Sequence, residues 1–315
     1  MFWTGRMSAP VVSVIIPTYN CADYIAQTLE GIFHQTFQDL EVIVVDDGST
    51  DRTREIVAGY SRVCLISQQN AGVCAARNRG IREAKGRFIC LIDHDDYWFP
   101  DKLARQIEAM DIYPDSGVIY TDFTLWFPEQ GVFPEVWSLH KPVAGNPVDP
   151  DYSGWIYHQL LLDCWVLTST ALFRSTVFQD CGGFDEALPY SEDWELWLRI
   201  CRKYQFTKLR YASTLYRQHP QQGNRKVRAV DYRTRLLTQA SRQWGLCSQD
   251  NRCISSQRFK KQLASYHADF GFHHLKAGNM GTATRALLQA WLIDPLHLKY
   301  PCYMVAGWVG WRPAW

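Results

Sequence analysis

"RFICLIDHDD", residues 87–96, decides how this chain folds. Phe88 to Ile92 are apolar at every position, with no polar alternation. That pattern reads as a strand buried on both faces of a parallel sheet. The run stops at Asp93, His94, Asp95 and Asp96. Carboxylates this close repel, and a buried one is costly to ionise. The acids therefore belong at a strand end that opens into a crevice.

Working outward, the same grammar repeats. "VVSVIIPTYN" (11–20) is a buried strand closed by a loop, and "LEVIVVDDGSTD" (40–51) is another that stops at two aspartates. "VCLISQQN" (63–70) and "SGVIYTDFTLW" (116–126) are further strands. Between them, 22–35, a segment ending near Tyr60, 71–86 and 101–111 space their apolar residues at helical intervals. Ser49, Thr50 and Asp51 offer caps for the second of these helices. Strands alternating with helices predict an α/β fold, a mostly parallel sheet covered on both faces. Ligands of such sheets bind beyond the carboxyl ends of the strands. Tyr19, Asp46, Asp47, Asp93 and Asp95 all fall there.

Residues 127–163 are rich in Pro, Gly and Trp and carry no clear period. "SEDWELWLRICRKY" (191–204) is a helix with Ser191 as its expected cap, and "TKLRYASTLYRQHP" (207–220) is a strand running into a loop. Beyond about Arg225 the strand signals end and the chain reads as helical. Within it, 264–295 resembles one tetratricopeptide-type helix pair. It is either a pair packed on the main domain or a partner-binding surface. The expected organisation is a leader over 1–10, an α/β domain over 11–222 and a helical region over 223–315.

Bulk properties narrow the function. The 315 residues are 47% hydrophobic and 21% charged, with a net charge of +1. That balance argues against a nucleic-acid partner. The 13 Trp read mostly as core, although their rings could stack on sugars. None of the 10 Cys forms a C-x-x-C pair, so zinc and redox motifs are not expected. Cys90 and Cys201 read as small buried hydrophobes in a reducing compartment. No secretory signal and no span of about 20 apolar residues is present, which places the expected location in the cytoplasm.

Asp93 and Asp95, at i and i+2, could both face one hard cation such as Mg²⁺ or Mn²⁺, completed by phosphate oxygens. Alone, the triplet fits a solvated turn or helix cap as well. No Walker loop and no G-x-G-x-x-G follows the first strand, which argues against a dinucleotide oxidoreductase. Asp193, in the first turn of its helix, suits a cap or a catalytic base. The helix dipole favours its anion, so burial beside Trp194 or Trp197 must compensate if it is to accept a proton. His219 is a metal ligand or a surface histidine. Arg77 is a phosphate clamp or an exposed helix residue.

In order and spacing, "SVIIPTYN", "VIVVDDGSTD", "NAGVCAARNRGI", "FICLIDHDDYWFPDKL", "GGFDEAL", "SEDWELWLRI" and "YRQHP" resemble the inverting glycosyltransferase family 2, whose fold is called GT-A. The resemblance covers roughly 11–220. It implies a nucleotide-sugar donor, with Pro17, Tyr19 and Asp47 at the nucleoside and Asp93 on the nucleotide side. It also implies Asp95 on a Mn²⁺ or Mg²⁺ ion, His219 as a further metal contact, and Asp193, in preference to Glu192, as base. The Q-x-x-R-W segment of processive synthases is missing and no membrane spans follow. Transfer of a single sugar to a saccharide or lipid-linked hydroxyl acceptor is therefore expected, in polysaccharide, glycolipid or cell-surface glycan synthesis. Two alternatives stand beside it: a non-catalytic nucleotide-sugar-binding scaffold using the helical tail for partners, and a nucleotidyltransferase. The basic stretch 217–235 could meet a diphosphate or lipid phosphate, or be a solvated face. The Trp-rich end 303–315 could touch the inner face of a membrane or dock on the protein.

Overall fold

A computed structural model describes residues 9–223 and 226–311. The expected leader therefore lies almost wholly outside the described residues, as do positions 224–225 of the basic stretch and 312–315 of the Trp-rich end. The chain divides into two compact units, one of Met1–Ile156 with Cys164–His219, the other of Tyr157–Asp163 with Pro220–Trp315.

In the first unit the elements alternate as the periodicity predicts. They run β1 (Val12–Thr18), α1 (Ile25–Phe33), β2 (Leu40–Asp46), α2 (Thr53–Ala58), β3 (Val63–Ser67), α3 (Val73–Glu83) and β4 (Phe88–Leu91). β5 (Tyr97–Trp98), α4 (Lys102–Ile112) and β6 (Ser116–Trp126) follow. Strands β3, β2, β1 and β4 are adjacent and parallel, in that order. Their carboxyl ends therefore share one edge. Alternate side chains of each strand supply two cores. Val12, Val14 and Ile16 pack with Val42 and Val44 on one face, while Ile43 and Val45 meet Ala76 of α3 on the other. On that second face α3 approaches so closely that a Cβ on Gly80 would lie 2.3 Å from Ile15 Cγ2.

The second half of the sheet departs from the simple alternation. After α5 (Tyr157–Leu160), which belongs to the other unit, come β7 (Leu172–Arg174), α6 (Ser175–Cys181), α7 (Glu192–Ile200) and β8 (Gln205–Arg217). β7 runs antiparallel between β4 and β6, and β8 pairs in parallel with β6. The strand expected over 87–96 ends at Leu91, because the acidic turn leaves the sheet there. Tyr97 and Trp98 rejoin it as an antiparallel edge on β8. Ser191 makes no side-chain cap. It turns the chain into α7 with φ 61°, a left-handed conformation uncommon for a residue with a Cβ. Asp51, just before α2, accepts from the Thr53 amide, but the cap position itself falls to Arg52, which makes no side-chain cap bond, in place of Ser49, Thr50 or Asp51.

The second unit is helical: α8 (Tyr232–Trp244), α9 (Ser256–Lys276), α10 (Met280–Ile293) and α11 (Lys299–Trp308). Small residues let α9 and α10 pack closely, with Leu287 Cγ 3.0 Å from where a Cβ on Gly271 would stand. Ala264, Ala268, Ala283 and Ala290 fill the seam around Leu275 and Leu287. The segment 157–163 is bound into this unit. The Tyr157 hydroxyl donates to the Ala240 and Gly245 carbonyls, and the Tyr266 hydroxyl donates to Leu162 O. Cys90 and Cys201 are fully buried thiols. Cys247 and Cys253, however, form a disulfide, which the absence of a C-x-x-C motif did not anticipate. Among the described residues no helix is long and apolar enough to cross a membrane.

Candidate active site

The parallel edge of the sheet collects the acids. Tyr19 leaves β1 largely exposed, Pro17 is buried just before it, and Asp47 follows β2. Asp47 is nearly buried and already engaged. Its Oδ1 accepts from the Ala71 amide at 2.9 Å and Gln68 Nε2 at 2.8 Å, and its Oδ2 from the Gly72 amide at 2.8 Å. The carboxylate therefore shapes the loop that feeds α3, where Gly72 takes φ 92°. Asp46 is buried beneath it and accepts from the Ser49 amide.

The turn after β4 is tied down from several directions. His94 Nδ1 lies 3.2 Å from Pro17 O, which anchors the turn to the end of β1. Asp96 is buried, bonded by the Ser169 hydroxyl at 2.5 Å and the Arg217 amide at 3.2 Å. Burial, then the neighbouring Asp95 and Asp93, lift its pKa well above the usual carboxylate range. Arg217 also donates through Nε to Asp95 O at 2.7 Å and lies 4.0 Å over the Trp126 ring. Neither Asp96 nor Arg217 stood out among the candidate residues. Both lay inside quoted motifs, but their pairing across 121 residues has no local signal.

Two polar clusters result. In the first, Arg77 reaches from α3 to bridge Asp93 Oδ1 at 2.7 Å and Glu192 Oε1 at 2.8 Å. The expectation that Arg77 might simply be an exposed helix residue is corrected: it is 4% exposed, because α3 packs against the sheet with Arg77 on its inner side. Burial opposes its charge, but Asp93 and Glu192 outweigh that and raise its pKa. Its guanidinium is thus committed to carboxylates. Asp193 sits beside this pair. Burial first, then the Glu192 charge, push its carboxyl up to about 7, while Arg77 pulls the other way. Trp194 and Trp197 are the buried aromatics of the same helix. The left-handed Ser191 aims this first turn of α7, a place where backbone strain commonly accompanies function.

In the second cluster, His219 Nε2 lies 2.9 Å from Asp95 Oδ2, both side chains being nearly buried. Burial opposes ionisation of Asp95, yet the hydrogen bond from His219 and the nearby His94 keep its pKa below the ordinary value. Among the described residues no group of three or more His, Cys, Asp or Glu is arranged around a common cation position. The pair nonetheless fits a two-donor site. Adjacent ligands of an octahedral ion with bonds of about 2.1 Å stand about 3 Å apart, which matches this contact. A mixed carboxylate and imidazole set suits Mn²⁺ better than Mg²⁺.

The profile of "Glycosyl transferase family 2" matches residues 13–124. An Escherichia coli protein described as UDP-Glc:alpha-D-GlcNAc-diphosphoundecaprenol beta-1,3-glucosyltransferase WfaP is 31% identical over 215 residues, covering 66% of this chain and 78% of its own. The chain belongs to glycosyltransferase family 2. An uncharacterised glycosyltransferase of Rickettsia prowazekii is 32% identical over 197 residues, so this family 2 chain covers 62% of itself and 59% of that relative's length in the match. Among solved structures, S. aureus TarS residues 1–349 with UDP-GlcNAc superposes with a TM-score of 0.61 at 20% identity, over 94% of this chain and 89% of that one. A Pyrobaculum calidifontis mannosyltransferase with GDP-Man and Mn²⁺ gives 0.54 at 20% identity, over 96% and 85%. The fold of this family 2 chain is accordingly GT-A, a mostly parallel sheet with helices on both faces, followed by C-terminal helices.

Proposed function

We propose that this protein transfers a single sugar from a nucleotide-sugar donor, a UDP-sugar, to a hydroxyl of a saccharide or lipid-linked acceptor, with inversion at the anomeric carbon. The observation that carries the reading is the bridging of Asp93 and Glu192 by Arg77, three side chains from three separate elements, with Asp193 next to Glu192 in the first turn of α7 and the Asp95–His219 pair close by in sequence to Asp93. A relative named for UDP-glucose and a neighbour solved with UDP-GlcNAc support the donor class.

The geometry supports the following roles. Tyr19 and Pro17 offer one exposed ring and one buried ring at the end of β1 for a nucleoside, and Asp47 holds the adjoining loop in shape for it. Asp95 and His219 would hold the divalent ion, which when bound supplies positive charge to the departing diphosphate. Asp93 keeps its second carboxylate oxygen for the donor while Arg77 fixes the first. Asp193, with a pKa lifted to about 7, is basic enough to take the proton of an attacking hydroxyl near neutral pH. Glu192 is the poorer base because its carboxylate is spent on Arg77. One displacement from the far face inverts the centre, and no covalent carboxylate is required.

The test is transfer and nucleotide release with UDP-, GDP- and TDP-sugars, read by mass spectrometry, with and without EDTA. Activity restored by Mn²⁺ and lost in Asp95→Ala and Asp193→Asn is expected. Full activity in either variant overturns the assignment.

A further inference from the structure

The net charge of +1 conceals a sharp division. Residues 220–315 carry 14 basic and 4 acidic side chains, with no glutamate, a net of +10, whereas residues 1–219 carry 19 basic and 28 acidic, a net of −9. The positive charge is concentrated in the helical unit, which holds neither the acidic turn nor Asp193.

The same unit exposes an unusual apolar surface. Leu292, Leu296, Leu298, Val305, Trp308 and Val309 are between 64% and 90% exposed. Single exposed leucines are ordinary, but a group this close in sequence and structure is not. Spacing places Leu288 and Leu292 on one outward stripe of α10, with Arg285 a turn earlier. Val305, Trp308 and Val309 form an outward stripe of α11. The two stripes are joined, since the Trp308 indole N–H donates to Thr284 Oγ1 of α10 at 3.1 Å. Cations border them. Lys260 and Lys261 of α9 line a hollow of about 490 Å³ together with Leu296, His297 and one acid, Asp294.

We propose that the helical unit is a peripheral membrane anchor for an anionic bilayer. The α10 and α11 stripes enter the boundary between headgroups and acyl chains, and Lys260 and Lys261 meet lipid phosphates beside Leu296. The physical case is complementarity of two kinds in one place. A helix that lies in the interface needs an apolar face flanked by Lys or Arg, and Trp favours that depth. Each basic residue near an anionic surface adds about 1 kcal/mol, which a net of +10 multiplies and salt removes. No described helix is long and apolar enough to cross a membrane, and the contact proposed here is one on the bilayer surface. A protein partner of ordinary composition would not call for so uniform a charge. The proposal does not depend on the catalytic reading.

The experiment is flotation of the full chain with vesicles of phosphatidylcholine alone or with about one third phosphatidylglycerol. Binding to the anionic vesicles at low salt, at least about tenfold over the neutral ones, is expected. Lys260→Gln with Lys261→Gln should cut it about tenfold and blunt its salt dependence. Leu296→Ser, Val305→Ser and Trp308→Ser together should also cut it about tenfold. Of the five positions only Trp308 has a recorded side-chain hydrogen bond among the described residues, and unchanged thermal unfolding checks that the variants fold. No binding at low salt, or binding that survives the triple substitution, overturns the proposal. So does a concentration-dependent dimer that the triple substitution dissolves without any lipid binding, which would assign the face to a second copy.

Discussion

Replacing Arg77 by methionine keeps most of its volume and removes the charge that joins Asp93 to Glu192. The contacts are 2.7 and 2.8 Å, Arg77 is almost fully enclosed, and its partners are 28% and 15% exposed. Deleting one member of a buried pair costs about 3–5 kcal/mol, because the partner charge is left unpaired. Here both partners retain some water, so about 3 kcal/mol is expected. For a chain of this size that lowers Tm by roughly 4–6 °C. A second effect has a defined sign. Arg77 lowers the Asp193 pKa, so its loss moves that pKa further above 7. The acid limb of the rate profile for sugar transfer should therefore shift to higher pH. Arg77→Lys retains one charge without the two-pronged fork and should fall between wild type and Arg77→Met in both measurements. Thermal unfolding and kcat/KM across pH 5–9 test this together. A Tm within a degree of wild type, or a limb displaced to lower pH, would refute the account of Arg77 as the organising cation.

Further expectations concern separate parts of the molecule. Asp193→Asn should lower transfer by about 10³, the scale of a lost general base. The variant should also be the more stable protein at pH 8: the folded-state pKa of about 7 lies above the ordinary 3.8, so wild type loses stability as pH rises through that window. Denaturant midpoints at pH 5 and pH 8 measure it. His219→Ala removes one of two donors and should raise the Mn²⁺ needed for half-maximal donor binding by about 10–100-fold, read by calorimetry, while leaving the acidic turn folded. Gly80→Ala should destabilise by about 1–3 kcal/mol, since its Cβ would press on Ile15 at 2.3 Å, and Tm should fall with little change in KM for the donor.

The sequence by itself determined the alternating strands and helices and the edge where the acids gather. Those features are local. An apolar run buried on both faces reads as a strand wherever it occurs, and its polar terminus marks the edge. The same local character made the helical tail legible. What only the tertiary structure decided is who pairs with whom. Arg77 and Glu192 are 115 residues apart, and Asp95 and His219 are 124 apart. No period or spacing records such pairs. The bonds that Asp47 makes to the loop at 68–72 have no local signal, and neither does the left-handed backbone of Ser191, which stands at the cap position without a side-chain cap bond. The Asp193 proton affinity was beyond the sequence for the same reason. Its helix position argues for a stable anion, and only enclosure beside Glu192 reverses that, because the cost of charge depends on everything packed around it.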